Sequence, residues 1–204
     1  MSELIIANKS SESLNYIIYI QNAISNTDIQ LNETIRRKFP WVSIDLDEPV
    51  LVELQHVLIN IWVDLVRNGR ADNTSTQLIN LEILSRVTDD KVKAALEKLK
   101  ASFLAWWNDP YIGGYNKLNY IDRNLLNKIY DRVKEKLDQS EATISLVIDV
   151  VYDMPIFDSI MNSRNYVVIA IAELPDMRLF HDSGYIDERL ISKLVEKIYN
   201  FLKI

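Results

Sequence analysis

The residues with the most suggestive spacing are Glu53 and His56, a Glu-x-x-His pair that Asn60, Asp64 and Arg67 extend in steps of three and four. That spacing puts all five on one face of a helix, and Glu-x-x-His is how helical bundles hold paired metal ions. Such centres need the motif twice. The chain has only 2 histidines, His56 and His181, and no second Glu-x-x-His. The line is therefore read as the solvent-facing or partner-facing side of a central helix. A single-metal site on Glu53, His56 and Asp64 is the minority reading, and the expectation is no metal and no cofactor.

Two further constellations yield to simpler accounts. His181-Asp182, inside Arg178-Leu179-Phe180-His181-Asp182-Ser183-Gly184, has the adjacent pair of metal phosphohydrolases, but His56 alone lies upstream to complete a ligand set. It reads as a polar loop that Gly184 ends before a helix capped by Asp187. Asp89-Asp90 has the character of a magnesium-binding pair, yet two acids in a first helical turn are what the helix dipole favours. Cysteine is absent, which removes thiolate catalysis and Cys-based zinc sites. Walker, Rossmann, Gly-x-Ser-x-Gly and protein-kinase motifs are absent as well. An enzyme here would have to work with carboxylates and at most one histidine.

The most distinctive stretch is Trp106-Trp107-Asn108-Asp109-Pro110-Tyr111-Ile112-Gly113-Gly114-Tyr115. Neighbouring residues on a helix point about 100° apart, so two adjacent tryptophans cannot both enter one core from a helix. Either one lies at the surface as a binding hot spot, or the turn folds back and buries both. Trp106, Trp107, Tyr111 and Tyr115 are the candidate binding surface, with Glu53, His56, Asn60 and Asp64 beside them.

The elements that must position these residues read mainly as helices. Only 4 glycines occur in 204 residues, and doubly wound sheets usually need glycine in tight turns. Ser11-Glu12 opens a segment with Leu14, Ile17, Ile18 and Ile24 on one face. Asp47-Glu48-Pro49 starts a helix that runs to about Asn68, with Gly69 as its C-cap. Thr74 and Gln77 form a capping box. Thr88-Asp89-Asp90 starts a helix whose Val92, Leu96, Leu99, Phe103 and Trp107 recur at helical spacing. Ile186 to Leu202 carries Leu190, Leu194 and Ile198 on one stripe. The expected fold is all-α, a single domain over 1–204. The alternative is α/β, with strands near 143–152 and 165–174, where β-branched residues crowd.

An offset of 65 residues lays 73–137 on 138–202 without a gap. It matches Pro110 to Pro175 and Tyr120-Ile121-Asp122 to Tyr185-Ile186-Asp187, which suggests tandem helical units. The stretch Val57 to Leu65, followed by Asn73, Gln77-Leu78 and Leu81-Glu82, resembles a segment of the uncharacterised YjaG-like bacterial protein family over residues 57–90 or so. That resemblance implies an all-helical fold and no particular activity.

Net charge is −6. Residues 1–72 carry 6 basic and 10 acidic groups and residues 138–204 carry 6 and 11, whereas residues 73–137 carry 11 and 8. The acidic total argues against general nucleic-acid binding. The basic middle, including Lys91, Lys93, Lys98 and Lys100, reads as solvated helix faces with acids interleaved. No run of 18 apolar residues is present, and Met1-Ser2-Glu3-Leu4 lacks a signal peptide's basic region, so the expectation is a cytoplasmic protein off the membrane. The leading expectation for function is an acidic interaction protein of immunity or inhibitor type that blocks a basic protein partner. The alternatives are an enzyme with a carboxylate-lined pocket and a helical DNA-binding regulator.

Overall fold

In the computed structural model, which describes residues 4–28, 38–119, 123–136, 144–155, 162–163, 166–173 and 188–202, the chain begins with a strand, β1 (Leu4–Lys9). Helix α1 (Glu12–Asp28) follows after two serines. Then come α2 (Glu48–Arg67), a 3-10 turn Ala71–Asn73, α3 (Thr76–Arg86), α4 (Asp90–Trp107), the short α5 (Gly114–Asn119) and α6 (Arg123–Lys136). Strands β2 (Ile144–Val151), β3 (Asn162–Ser163) and β4 (Tyr166–Ala170) close the sheet, and α7 (Glu188–Leu202) ends the chain.

The molecule is mostly helical, but the all-α expectation fails. A 4-stranded sheet in the order β1-β2-β4-β3 runs through it. β1, β2 and β4 are parallel, with Lys9 opposite Asp149 and Asp149 opposite Val168, and β3 is antiparallel to β4. Two strands fall where the α/β alternative put them. β4 is buried at every residue, and so are most positions of β2, as parallel strands covered on both faces require. Glycine scarcity misled because the turn after β1 is built from serines, with the Ser11 amide bound by the Asp149 carboxylate.

Helix starts and stops follow the chemistry read from the sequence. α2 has Asp47 at its N-cap and a proline in its first turn. It ends with Gly69 at φ +60°, and the amides of Gly69 and Arg70 bond back to the carbonyls of Val66 and Leu65 at 3.5 and 3.0 Å. That is the glycine-terminated pair of hydrogen bonds that satisfies the last carbonyls of a helix. Asp89 caps α4 with bonds to the amides of Lys91 and Val92, and the buried side chains of α4 are the five expected. The capping box at Thr74 is corrected by one residue. Ser75 is the cap, accepting from the Leu78 amide, while Thr74 donates its hydroxyl to the Arg70 carbonyl (2.7 Å). The 65-residue offset sets α3 against β2 and α4 against β4, which differ in structure; among the described residues the ends of the two segments, α6 and α7, are alike. These two helices pack together, with Arg132 paired to Glu188.

α1 is buried on every side, with α2, α3 and α4 around it. Its apolar face holds Leu14, Ile17, Ile18 and Ile24 as expected, but Ser13, Asn15, Gln21, Asn22 and Asn26 are buried too. Buried polar groups cost several kcal/mol unless paired, and these are used as fasteners. Asn15 donates to the Val150 carbonyl (3.3 Å) and accepts from the Tyr152 amide (2.9 Å), which ties α1 to the end of β2. α2 has the length and mean hydropathy (1.4) of a membrane span; here its Leu51, Leu54, Leu58, Ile61, Trp62, Leu65 and Val66 are buried.

Candidate functional site

At the carboxyl end of β1 the backbone turns through Ser10 and Ser11 into α1. The Ser11 amide is bound by the Asp149 carboxylate of β2 (2.8 Å), and Asp149, fully buried, also accepts from the Tyr166 hydroxyl of β4. One acid thus joins three parallel strands at the point where a helix begins. The Ser11 hydroxyl caps α1 by accepting from the Leu14 amide (3.3 Å). The hydroxyls of Ser11 and Ser13, 2.7 Å apart, both reach the Ala71 carbonyl at 3.0 Å. In the same first turn Glu12 accepts from the Thr76 amide (2.9 Å), at the start of α3.

These bonds hold open a cleft of about 600 Å³ lined by Asn8, Lys9, Ser10, Ser11, Glu12, Ala71, Asn73, Thr74, Ser75 and Tyr115. Its place is the one that parallel α/β sheets use for ligands, outside the carboxyl ends of the strands. Two helix N-termini, of α1 and α3, face the same space, and the first amides of a helix lack acceptors within it. Most polar atoms here are committed to one another, but Asn8 Oδ1 and Ser10 Oγ are enclosed without a hydrogen-bond partner among the described residues. The wall opposite β1 is Tyr115, about half exposed (52%), its ring edge-on to Trp107 at 5.9 Å.

The Trp106–Tyr115 stretch folds back. Trp107 is 3% exposed and Trp106 is half-buried against Tyr19, Phe39, Phe103 and Tyr152. The paired glycines are what let the turn close. A Cβ on Gly113 would sit 2.2 Å from the Asp109 carbonyl oxygen, and one on Gly114 2.4 Å from the Trp106 ring. Asp109 pins the turn by accepting from the amides of Tyr111 and Ile112 (2.8 and 2.9 Å), bonds that hold its carboxyl below the usual aspartate range, Ile112 first. Tyr111 is left 91% exposed at the tip. Of the four candidate aromatics, then, two support the turn, one is its tip and one faces the cleft.

The polar line of α2 faces outward. Glu53, His56 and Asn60 are exposed, and Asp64 is partly buried, pairing with Arg70 and bonding Asn68. Among the described residues no three histidine, aspartate or glutamate side chains gather closely enough to share a metal ion. His181 and Asp182 lie outside the described residues.

The sequence reading missed the cleft because its walls are distant in the chain. The available signal was local: an apolar run, Leu4-Ile5-Ile6, then Asn8-Lys9-Ser10-Ser11-Glu12 before an apolar helix, which is a strand, a polar turn and a helix start. Such a chain belongs to the broad class of proteins with a parallel sheet and a strand-end cleft. Within that class the comparisons go no further: the chain matches no protein-family model, no curated protein and no solved structure.

Proposed function

We propose that the chain is a ligand-binding α/β protein whose strand-end cleft takes a small phosphorylated molecule of the mononucleotide kind. The observation that carries this reading is the cleft at the carboxyl end of β1, where that strand meets the starts of α1 and α3. Lys9 and the α1 amides suit a phosphate, Glu12 and Asn73 suit hydroxyls, and the exposed face of Tyr115 suits a flat ring. Calorimetric titration with inorganic phosphate, ribose 5-phosphate and AMP tests it. AMP should bind most tightly, and Lys9→Ala and Tyr115→Ala should each weaken it about tenfold, the scale of one lost charged or stacked contact. If none of the three binds, or if both variants bind AMP as the native chain does, the reading is wrong.

Tyr111 and Ile112, exposed together at the tip of the α4–α5 turn, favour a second reading, an interaction protein that covers a partner's surface. Its acidic total would steer a basic partner. Retention of such a partner that is equal at low and high salt would exclude the electrostatic form of this reading.

A further inference from the structure

A second depression, remote in chain terms from the cleft, lies between residues 42–45 and the outer face of α4. It measures about 520 Å³ and is lined by Val42 and, from α4, by Lys91, Ala94, Ala95, Lys98 and Leu99. Beside it Trp41 is 60% exposed with φ +57°, a left-handed conformation costly to a residue with a Cβ. Something holds it there. Asn26 of α1 donates to the carbonyls of Lys38 and Val42 (both 2.9 Å) and accepts from the Lys38 amide (2.8 Å). Thr27 does the same for Ile44, donating to its carbonyl (2.9 Å) and accepting from its amide (3.0 Å). Two side chains of the most buried helix thus spend five hydrogen bonds on a segment that presents Trp41 and Val42 to solvent.

The charges of α4 divide to match. Lys93 and Lys100, away from the depression, are paired with Asp90 and Glu97 one turn back. Lys91 and Lys98, on its rim, make no ion pair among the described residues, and the only acid in the lining is Asp45. They stand seven residues apart, about 10 Å along the helix, and between them the face is Ala94 and Ala95, small enough for another helix to approach closely. This is the part of the chain where charge runs against the acidic total.

We propose that this groove docks an acidic amphipathic helix of a partner protein. Its apolar stripe would lie on Val42, Ala94, Ala95 and Leu99 under the edge of Trp41, and carboxylates two turns apart would meet Lys91 and Lys98. The proposal does not depend on what the cleft binds.

The test is selection of a random-sequence peptide library, long enough for about four helical turns, on the full chain. The selected peptides are then titrated against native, Lys91→Glu/Lys98→Glu and Trp41→Ala proteins, all checked for native melting. Selected peptides should carry acids and apolar residues at helical spacing. They should lose about tenfold or more in affinity for the charge-reversed protein, as removal of two complementary charges implies, and should shift amide resonances of residues 42–45 and 91–102. Peptides without acidic bias, peptides that bind the charge-reversed protein equally well, or shifts confined elsewhere would overturn it. Tighter binding of an oligothymidylate than of any selected peptide, lost on the same charge reversal, would also overturn it, in favour of nucleic acid.

Discussion

In the cleft at the end of β1, serine and glutamate side chains fasten one wall to the other, and the side chains left over are polar. In the groove beside α4, side chains from beneath fasten one wall to the core, and what is left over is apolar with unpaired cations at the rim. The volumes are similar, about 600 and 520 Å³, so size does not separate them. The separation comes from where α1 spends its buried polar groups. At its first turn Ser11, Glu12 and Ser13 point into a turn of backbone; at its last turns Asn26 and Thr27 hold a segment that carries a tryptophan outward. One helix therefore frames two surfaces of opposite chemistry, one suited to a small polar ligand and the other to a side-chain-rich partner.

The sharpest way to break that comparison is at Asp149. Asp149→Ala leaves the Ser11 amide and the Tyr166 hydroxyl buried without this acceptor, and each such orphan costs on the order of 1–3 kcal/mol. A loss of about 3 kcal/mol in urea unfolding is expected, with AMP binding lost and the groove's amide resonances unmoved. If the groove changes as much as the cleft, the two surfaces are one coupled unit and the division drawn above is wrong.

Asn26→Ala is the counterpart at the other end of α1 and is smaller. It removes three hydrogen bonds to Lys38 and Val42, which lie near the surface where water can replace part of them, so about 2 kcal/mol is expected. The consequence to measure is local. With its bracket gone, the segment 38–44 should relax, Trp41 should leave the left-handed region, and amide exchange there should speed up while the Ser11–Leu14 amides stay protected. Equal protection in the variant would mean that the bracket is not what sets Trp41.

How much of this could be read beforehand differs element by element. α2 was legible at both ends and α4 at its start, because Asp47-Glu48-Pro49, Gly69 and Asp89 act through local geometry and because their apolar stripes are the ones buried. β2 and β4 were legible only as an alternative, since a short run of β-branched residues fits a buried helix as well as a buried strand. β1 was not legible, being a six-residue edge strand whose second half, Asn8-Lys9, looks like loop. α1 was read as amphipathic, but its polar residues are interior; periodicity reports which residues could face water, not which find partners elsewhere. Neither surface was visible. The cleft joins Asn8–Glu12 to Ala71–Ser75, and the groove depends on a backbone conformation at Trp41 that no residue type announces. The Trp-Trp-to-Gly-Gly turn was singled out as a candidate surface; in the structure its glycines serve close approach to Asp109 and Trp106.

Trp41→Gly asks whether the outward tryptophan serves the fold. Glycine adopts φ +57° at no steric cost, which returns about 1–2 kcal/mol, while loss of the ring and its edge contact with Phe39 (5.0 Å) removes about 1–1.5 kcal/mol. The two nearly cancel, so the melting temperature should stay within about 3 °C while affinity for groove-selected peptides falls. A variant that unfolds readily would assign Trp41 to the core's support.

The smallest effect separates the two kinds of lysine on α4. Glu97 accepts from Lys100 and, at 2.6 Å, from Asn80, whose Oδ1 in turn accepts from the buried Tyr16 hydroxyl (2.7 Å). Lys100 above all, and then Asn80, holds the Glu97 carboxyl below the usual glutamate value of 4.5. A carboxyl depressed in the folded state adds stability that is complete above its unfolded value and is lost as pH falls through its folded one. The acid limb of a melting-temperature profile, below about pH 4.5, should therefore flatten in Glu97→Gln and in Lys100→Met. The shift should be slight, because the pair is solvent-exposed and screened. Lys91→Gln and Lys98→Gln, which remove cations that no acid on this helix neutralises, should leave that limb where it is. Were they to move it as Lys100→Met does, the groove lysines would already be serving the fold's own carboxylates, and little charge would remain there for a partner.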